Sequence, residues 1–199
     1  MPLELIEYIT NYGYLTIFGL VFLQELGVPN PVPNELILIF SGYLASTGKL
    51  SFSLVVLTAV AADFIGTTIL YLVFYSFGTK FLKKIKFLPH KKIAQLVVYL
   101  SGRGRWGVYI GRLLPLLRGY ASVAAGILRL PPKEFIPAVI LSAFTWSGGY
   151  VLLGRLLGPK WENVSNYFGF KNSLLILGGI IIIYLLGLKV YDKIKKSNL

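Results

Sequence analysis

Glu25-Leu-Gly-Val-Pro-Asn-Pro-Val-Pro-Asn-Glu35 lies between two apolar runs, Tyr12 to Leu23 before it and Leu36 to Ala45 after it. Pro29, Pro31 and Pro33 rule out one continuous helix here, because proline lacks the backbone donor and pushes its predecessor out of the α region. Each arm is roughly 15–18 Å long at 1.5 Å per residue, about half the hydrocarbon thickness of a bilayer. The reading is a re-entrant hairpin that goes halfway in, turns, and leaves on the same side. A second region has the same character. Trp106 to Leu117 is short, Pro115, Arg118 and Gly119 interrupt it, and apolar sequence resumes from Tyr120 to Leu128. Non-helical backbone at that depth survives only where protein or a water-filled cavity surrounds it, so both hairpins belong inside a bundle.

Three further apolar segments are long enough to cross: about Leu50 to Phe77, Phe135 to Leu153 and Ser173 to Leu188. Hairpin then span, twice, is an inverted repeat in outline, with a final helix added. The expected fold is therefore an all-α membrane protein, an inverted-repeat bundle with two re-entrant helical hairpins, about three full transmembrane helices and interfacial helices. Residues 1–199 form one membrane domain. Within it, 1–77 hold the first hairpin and span, 78–105 a basic connector, 106–153 the second hairpin and span, and 154–199 the last span and a basic tail. Met1 to Thr10 carries acids and no basic n-region, so it suits a short interfacial helix better than a signal peptide.

Composition agrees. The chain is 55% hydrophobic and 14% charged, with mean hydropathy +0.69, whereas a soluble domain averages about 45–50% apolar and about 25% charged. The absence of cysteine excludes disulfides, thiolate metal sites and a cysteine nucleophile, and the lone His90 excludes a multi-histidine metal site. No cofactor is expected. The net charge of +12 would suggest nucleic acid in a soluble protein, but here the aromatics interleave with Leu and Ile rather than with the basic residues.

The basic residues instead report topology. Lys80, Lys83, Lys84, Lys86, Lys91, Lys92, Arg103 and Arg105 fall between the first span and the second hairpin without one acid among them. The positive-inside rule places this connector in the cytoplasm. A re-entrant second hairpin then returns Arg129 and Lys133 to the same side, and two more crossings bring Lys189, Lys193, Lys195 and Lys196 there as well. The opposite side receives Glu4, Glu7, Lys49, Arg155, Lys160, Glu162 and Lys171, which nearly cancel. The chain is read as a multi-pass protein of the cell membrane with connector and tail cytoplasmic.

Five charges remain inside apolar segments or at hairpin tips: Glu25, Glu35, Asp63, Arg112 and Arg118. Insertion scales assign about 2.5–3.5 kcal/mol to an ionised side chain at a helix centre, so five facing lipid would cancel a whole domain's stability. They must meet one another, water or a ligand. The acids lie in the first half and the arginines in the second, so the tips are electrostatic complements. One reading is ion-pair glue between tips. The other is an anion site, since two arginines six residues apart across a kinked turn can converge on one phosphate, which their planar forks suit. Glu35 begins the returning arm, where helix N-terminal amides favour a carboxylate, so it is expected to be the steadier partner of an arginine; Glu25 lacks that help.

These residues also carry a resemblance. Glu25, then Pro33-Asn34-Glu35 and an apolar run containing Gly42, resembles the first motif of the DedA (VTT-domain) family. Arg112-Leu-Leu-Pro115-Leu-Leu-Arg118, then Ala125-Gly126 and Phe135, is similar to its second, and Trp146 with Gly148, Gly149, Tyr150 and Gly154 resembles a later span. The match covers about residues 20 to 158. Asn34 stands where the family has Gly, which Asn suits by tolerating the left-handed region, and the family's Gly-Arg pair after Asp63 has no counterpart.

The resemblance implies a flippase or scramblase that moves a polyprenyl phosphate or phospholipid between leaflets, coupled to protons. Arg112 and Arg118 would be phosphate ligands and Glu25, Glu35 and Asp63 protonation sites. Pro29, Pro33, Asn34, Pro115, Gly119 and Gly126 would shape the hairpin tips. Partners would be membrane lipids, chiefly anionic lipid phosphates, with self-association left open and no nucleic acid. An enzyme is not expected, since a lipid phosphatase would want a His beside Ser or Asp, or a metal cluster. An ion-coupled carrier of a small solute and a structural membrane protein are the other readings.

Overall fold

The computed structural model describes residues 12–28, 32–82, 89–114 and 117–158; the third span, the basic tail, Met1 to Thr10, Pro29 and Pro115 lie outside them. The described residues form seven α-helices and no strand: α1 Tyr14–Glu25, α2 Asn34–Ser46, α3 Phe52–Leu82, α4 His90–Leu100, α5 Gly104–Leu113, α6 Arg118–Ile127 and α7 Pro132–Leu157. Both broken apolar regions are pairs of short helices. α1 closes right after Glu25, where the Gly27 amide bonds Gln24 O and the Val28 amide bonds Leu23 O, with Gly27 at φ 86. That is a Schellman stop, which uses up carbonyls the helix end would leave unpaired. α5 stops because Leu114 precedes Pro115 and is held extended at φ −89, ψ 115.

α3 and α7 are the two described helices long and apolar enough to cross a membrane. Non-helical Gly78 (φ 56, ψ −147) breaks α3 near its end. Both have outward faces of exposed large apolar residues, including Leu57, Ile65 and Leu72 on α3 and Leu141, Phe144 and Leu152 on α7. Their other faces carry the short helices in a crossed arrangement. α1 packs on α3 and α5 on α7, but α2 packs on α7 and α6 on α3. Each returning arm therefore leans on the long helix of the other half.

Two glycines make that exchange possible. Gly42 is eight residues past Asn34 and abuts the Val151 carbonyl of α7; Gly126 is eight past Arg118, and a Cβ there would stand 2.6 Å from the Tyr71 carbonyl of α3. Tyr71 and Val151 are each nineteen residues from the first residue of their helices, Phe52 and Pro132. The two halves thus use the same register. Gly126, expected at a hairpin tip, lies instead near the C-terminal end of α6, eight residues from Arg118, where its lack of a side chain serves helix contact and not a turn. Gly126→Val forces backbone apart and should lower stability by about 1–3 kcal/mol. Gly148→Ala, which meets open space, should change little; melting curves in detergent compare the two.

Part of the connector is α4, whose Ile93, Leu96 and Leu100 are buried. These join the apolar clusters of α3, α6 and α7, so the amphipathic stripe faces protein. Its lysines, Lys91 and Lys92, remain exposed.

Candidate functional site

The four inner ends of the short helices and the middles of α3 and α7 meet at one place. Glu25 is the last residue of α1, Asn34 the first of α2, Arg112 the penultimate residue of α5 and Arg118 the first of α6. α3 passes with Asp63 and Thr67 one turn apart, and α7 with Ser142 and Trp146 one turn apart, so each pair shares a face. Breaking a helix is what delivers its terminal side chains to the interior.

Arg112 is completely buried, and each of its guanidinium nitrogens is bonded. Nε donates to Ser142 Oγ at 2.9 Å, and Nη1 to Ser122 Oγ at 2.8 Å and Thr67 Oγ1 at 3.0 Å. Nη2 donates to Asp63 Oδ1 at 2.5 Å and lies 3.9 Å from Glu25 Oε2. Arg118 donates from Nε to Glu25 Oε1 at 2.9 Å and from Nη2 to Asp63 Oδ2, and its guanidinium stands 5.0 Å over the Trp146 ring. Asp63 therefore holds one arginine with each oxygen. The Thr67 hydroxyl is 3.1 Å from Glu25 Oε2 and 3.0 Å from Asp63 Oδ1, so its single proton serves one carboxylate while it accepts from Arg112.

Two full negative and two full positive charges balance inside a buried quartet. Removing one member would leave an uncompensated buried charge, worth about 3–5 kcal/mol, whereas the intact set gains little beyond its own desolvation. A closed cluster of this kind is a poor source of stability but a ready set of exchangeable partners. One donor is already unused. Arg118 Nη1 is buried without a partner, as are Asn34 Oδ1 and Gln24 Oε1. All three residues line a cavity of about 70 Å³, with Glu25, Glu35, Gly119 and Trp146. The N-termini of α2 and α6 both reach its wall, neither with a side-chain cap. Uncapped helix N-termini favour anions.

Of the five charges singled out in the sequence, four form the quartet. Glu35 does not. It is half-buried on the cavity wall and makes no ion pair among the described residues, so the expected steady partner of an arginine is Asp63 instead. The reason is angular. Asn34 takes the inward position at the start of α2, and the next residue is rotated about 100° from it. Asn34 is helical and outside the left-handed region, since among the described non-glycine residues only Arg129 has positive φ. Pro33 directly precedes α2, and Gly119 lies in the first turn of α6 beside the cavity. The hydroxyls of Thr67, Ser122 and Ser142 belong to the site without a charge or motif of their own to mark them. Two of them stand four residues past a charge, Thr67 after Asp63 and Ser122 after Arg118, which is the signal that would have found them.

A family model, the VTT domain, matches residues 32–156. The chain is 31% identical over 203 aligned residues to undecaprenyl phosphate transporter A of Bacillus subtilis (strain 168), covering 98% of this chain and 94% of that protein. It is 32% identical to the Staphylococcus aureus (strain NCTC 8325 / PS 47) protein of the same name, over 78% of this chain and 79% of the relative. An alkaline phosphatase-like protein of Lactococcus lactis subsp. cremoris (strain MG1363) is 27% identical over 95% of this chain and 91% of its own. No solved structure matches. With more than half its length inside the family model and a relative above 30% identity over nearly all of it, the chain belongs to the VTT-domain (DedA) family of membrane proteins.

Proposed function

We propose that this protein carries a lipid phosphate of the polyprenyl phosphate kind across the cell membrane, and that Arg112 and Arg118 exchange their carboxylates for the phosphate. The observation that carries the reading is the buried, charge-balanced quartet beside a cavity that already holds an unpartnered Arg118 donor. The names of the two transporter relatives agree with it.

The balance has a consequence for coupling. A phosphate brings at least one negative charge to a site whose sum is zero. One unpaired unit charge about 4 Å from another is worth about 4 kcal/mol at an effective dielectric of 20. Proton uptake by Glu25 or Asp63, as each loses its arginine, restores neutrality. The phosphate and the proton then travel together, and release on the far side reforms the ion pairs. No covalent step is needed, and the protein is a carrier and not an enzyme. Glu35 lines the cavity together with Glu25 and is a third acid close to the arginines.

α1–α2 and α5–α6 enter from opposite faces as re-entrant hairpins, so the quartet forms where their tips meet near the midplane. The chain has no cysteine, so single cysteines report topology cleanly. A cysteine at exposed Lys92 and one at exposed Lys133 should both be labelled from the cytoplasm, and one at exposed Lys49 from outside. Lys92 and Lys133 on opposite faces would remove the second hairpin.

Function is tested in vesicles of defined lipid holding the purified chain. A labelled polyprenyl monophosphate should change leaflet with its phosphate intact, and inorganic phosphate should not cross. Movement of inorganic phosphate alone would make the protein a solute carrier, and released phosphate would make it a phosphatase. Either outcome ends this reading.

A further inference from the structure

A second basic site lies at the outer end of α5. Arg103, Arg105 and Lys133 line an open cleft of about 430 Å³ with Trp106 and one acid, Glu134. No ion pair within 4 Å joins Glu134 to these bases among the described residues. Its carboxylate packs instead against Gly104, the first residue of α5, a helix without a side-chain cap. It therefore occupies a place that suits an anion, with a surplus of positive charge around it.

The cleft does not end there. Arg105 and Trp106 also border an apolar groove of about 150 Å³ between α5 and α7, walled by Tyr109, Pro137, Ala138 and Leu141. Trp106 is 58% exposed, and an exposed indole is a side chain that membrane surfaces favour. Charged cleft and greasy groove together match an amphiphile with an anionic head and one apolar chain. The groove lies between the same two helices that carry Arg112 and Ser142. Arg112 is seven residues past Arg105, on nearly the same face of α5 and about 10 Å further along its axis. On the opposite wall, Ser142, which holds Arg112 Nε, follows Leu141 directly.

We propose that this cleft and groove are a docking site where a lipid monophosphate is captured from the leaflet before it reaches Arg112, with its head on Arg105 and Lys133 and its chain against Trp106 and Leu141. The identity of the lipid rests on the function proposed above; the site itself rests on the cleft and groove. In this role Glu134 is a placeholder that the phosphate displaces, as Glu25 and Asp63 are in the quartet.

The test uses the full chain in vesicles, with a photoactivatable benzoylphenylalanine at Leu141 and a radiolabelled polyprenyl monophosphate as probe. Crosslinking should saturate and be competed by unlabelled polyprenyl monophosphate far better than by phosphatidylglycerol or inorganic phosphate. Arg105→Gln with Lys133→Gln should weaken capture about thirtyfold, the loss expected of two basic contacts to an anionic head. Glu134→Gln should strengthen it severalfold. The signal should persist in Arg118→Lys, in which transport is expected to fail, so capture and transport are read separately. Equal competition by phosphatidylglycerol, or a signal indifferent to Arg105, Lys133 and Glu134, would overturn the proposal. A wild-type chain that captures the probe yet moves none of it would leave the site standing and overturn the proposed function instead.

Discussion

Arg118→Gln is expected to abolish lipid transport and to lower the stability of the protein by about 3–5 kcal/mol, because it leaves a buried negative charge with no partner. Adding Glu25→Gln should return most of that stability. The double variant removes the pair joined at 2.9 Å and leaves Asp63 and Arg112 joined at 2.5 Å, so the interior is neutral again. Transport should stay absent in the double variant, since the phosphate has lost one of its two arginines. Melting curves in detergent and vesicle transport are compared across the three proteins. If restoring the charge balance also restores transport, the quartet is glue and the phosphate binds elsewhere.

The second large effect separates the two arginines. Arg118→Lys keeps the charge but loses the fork that reaches Glu25 and Asp63 at once, and transport should fall by more than about tenfold. Folding should change less than for Arg112, because Nη1 of Arg118 has no partner to lose and an ammonium keeps one of the two carboxylates, while Asp63 retains Arg112. Arg112→Lys should fail in both respects. Arg112 satisfies Ser142, Ser122, Thr67 and Asp63 from three nitrogens, a set that one ammonium cannot span. Each buried group left unpaired costs about 1–3 kcal/mol. The sequence alone suggests that both lysine variants would spare stability; the hydrogen bonds of Arg112 revise that for one of them. Equal losses of stability in the two variants would contradict the difference.

The broken segments were legible because proline acts locally. Pro33 before α2 and Pro115 after α5 set helix ends through the chain's own covalent geometry, so neither apolar region can be one helix. The charges were legible because lipid tolerates none, so Glu25, Asp63, Arg112 and Arg118 had to converge somewhere. Which acid meets which arginine was not legible, because it depends on rotation about helix axes that propensity does not encode. Asp63 seemed the weaker candidate for lack of a family pattern after it, yet it bridges both arginines. Glu35 had the stronger pattern and stands aside. The crossed packing of α2 on α7 and α6 on α3 was equally out of reach, since it rests on which backbone each of Gly42 and Gly126 touches. The outer cleft was not legible because Arg103, Arg105 and Lys133 fit the charge pattern of topology, and a topology signal can also bind.

The claim that a phosphate takes the place of carboxylates on Arg112 and Arg118 can be measured directly. The other four arginines, Arg103, Arg105, Arg129 and Arg155, are exposed and can be replaced by lysine. In that protein every ¹⁵N-labelled guanidinium belongs to the quartet. Solid-state NMR of vesicles loaded with a polyprenyl monophosphate should then show its ³¹P signal dephased by guanidinium ¹⁵N at contact distance, and the dephasing should weaken when Arg118 is also made lysine. A protein that moves the labelled lipid while its ³¹P signal shows no guanidinium contact would contradict the account.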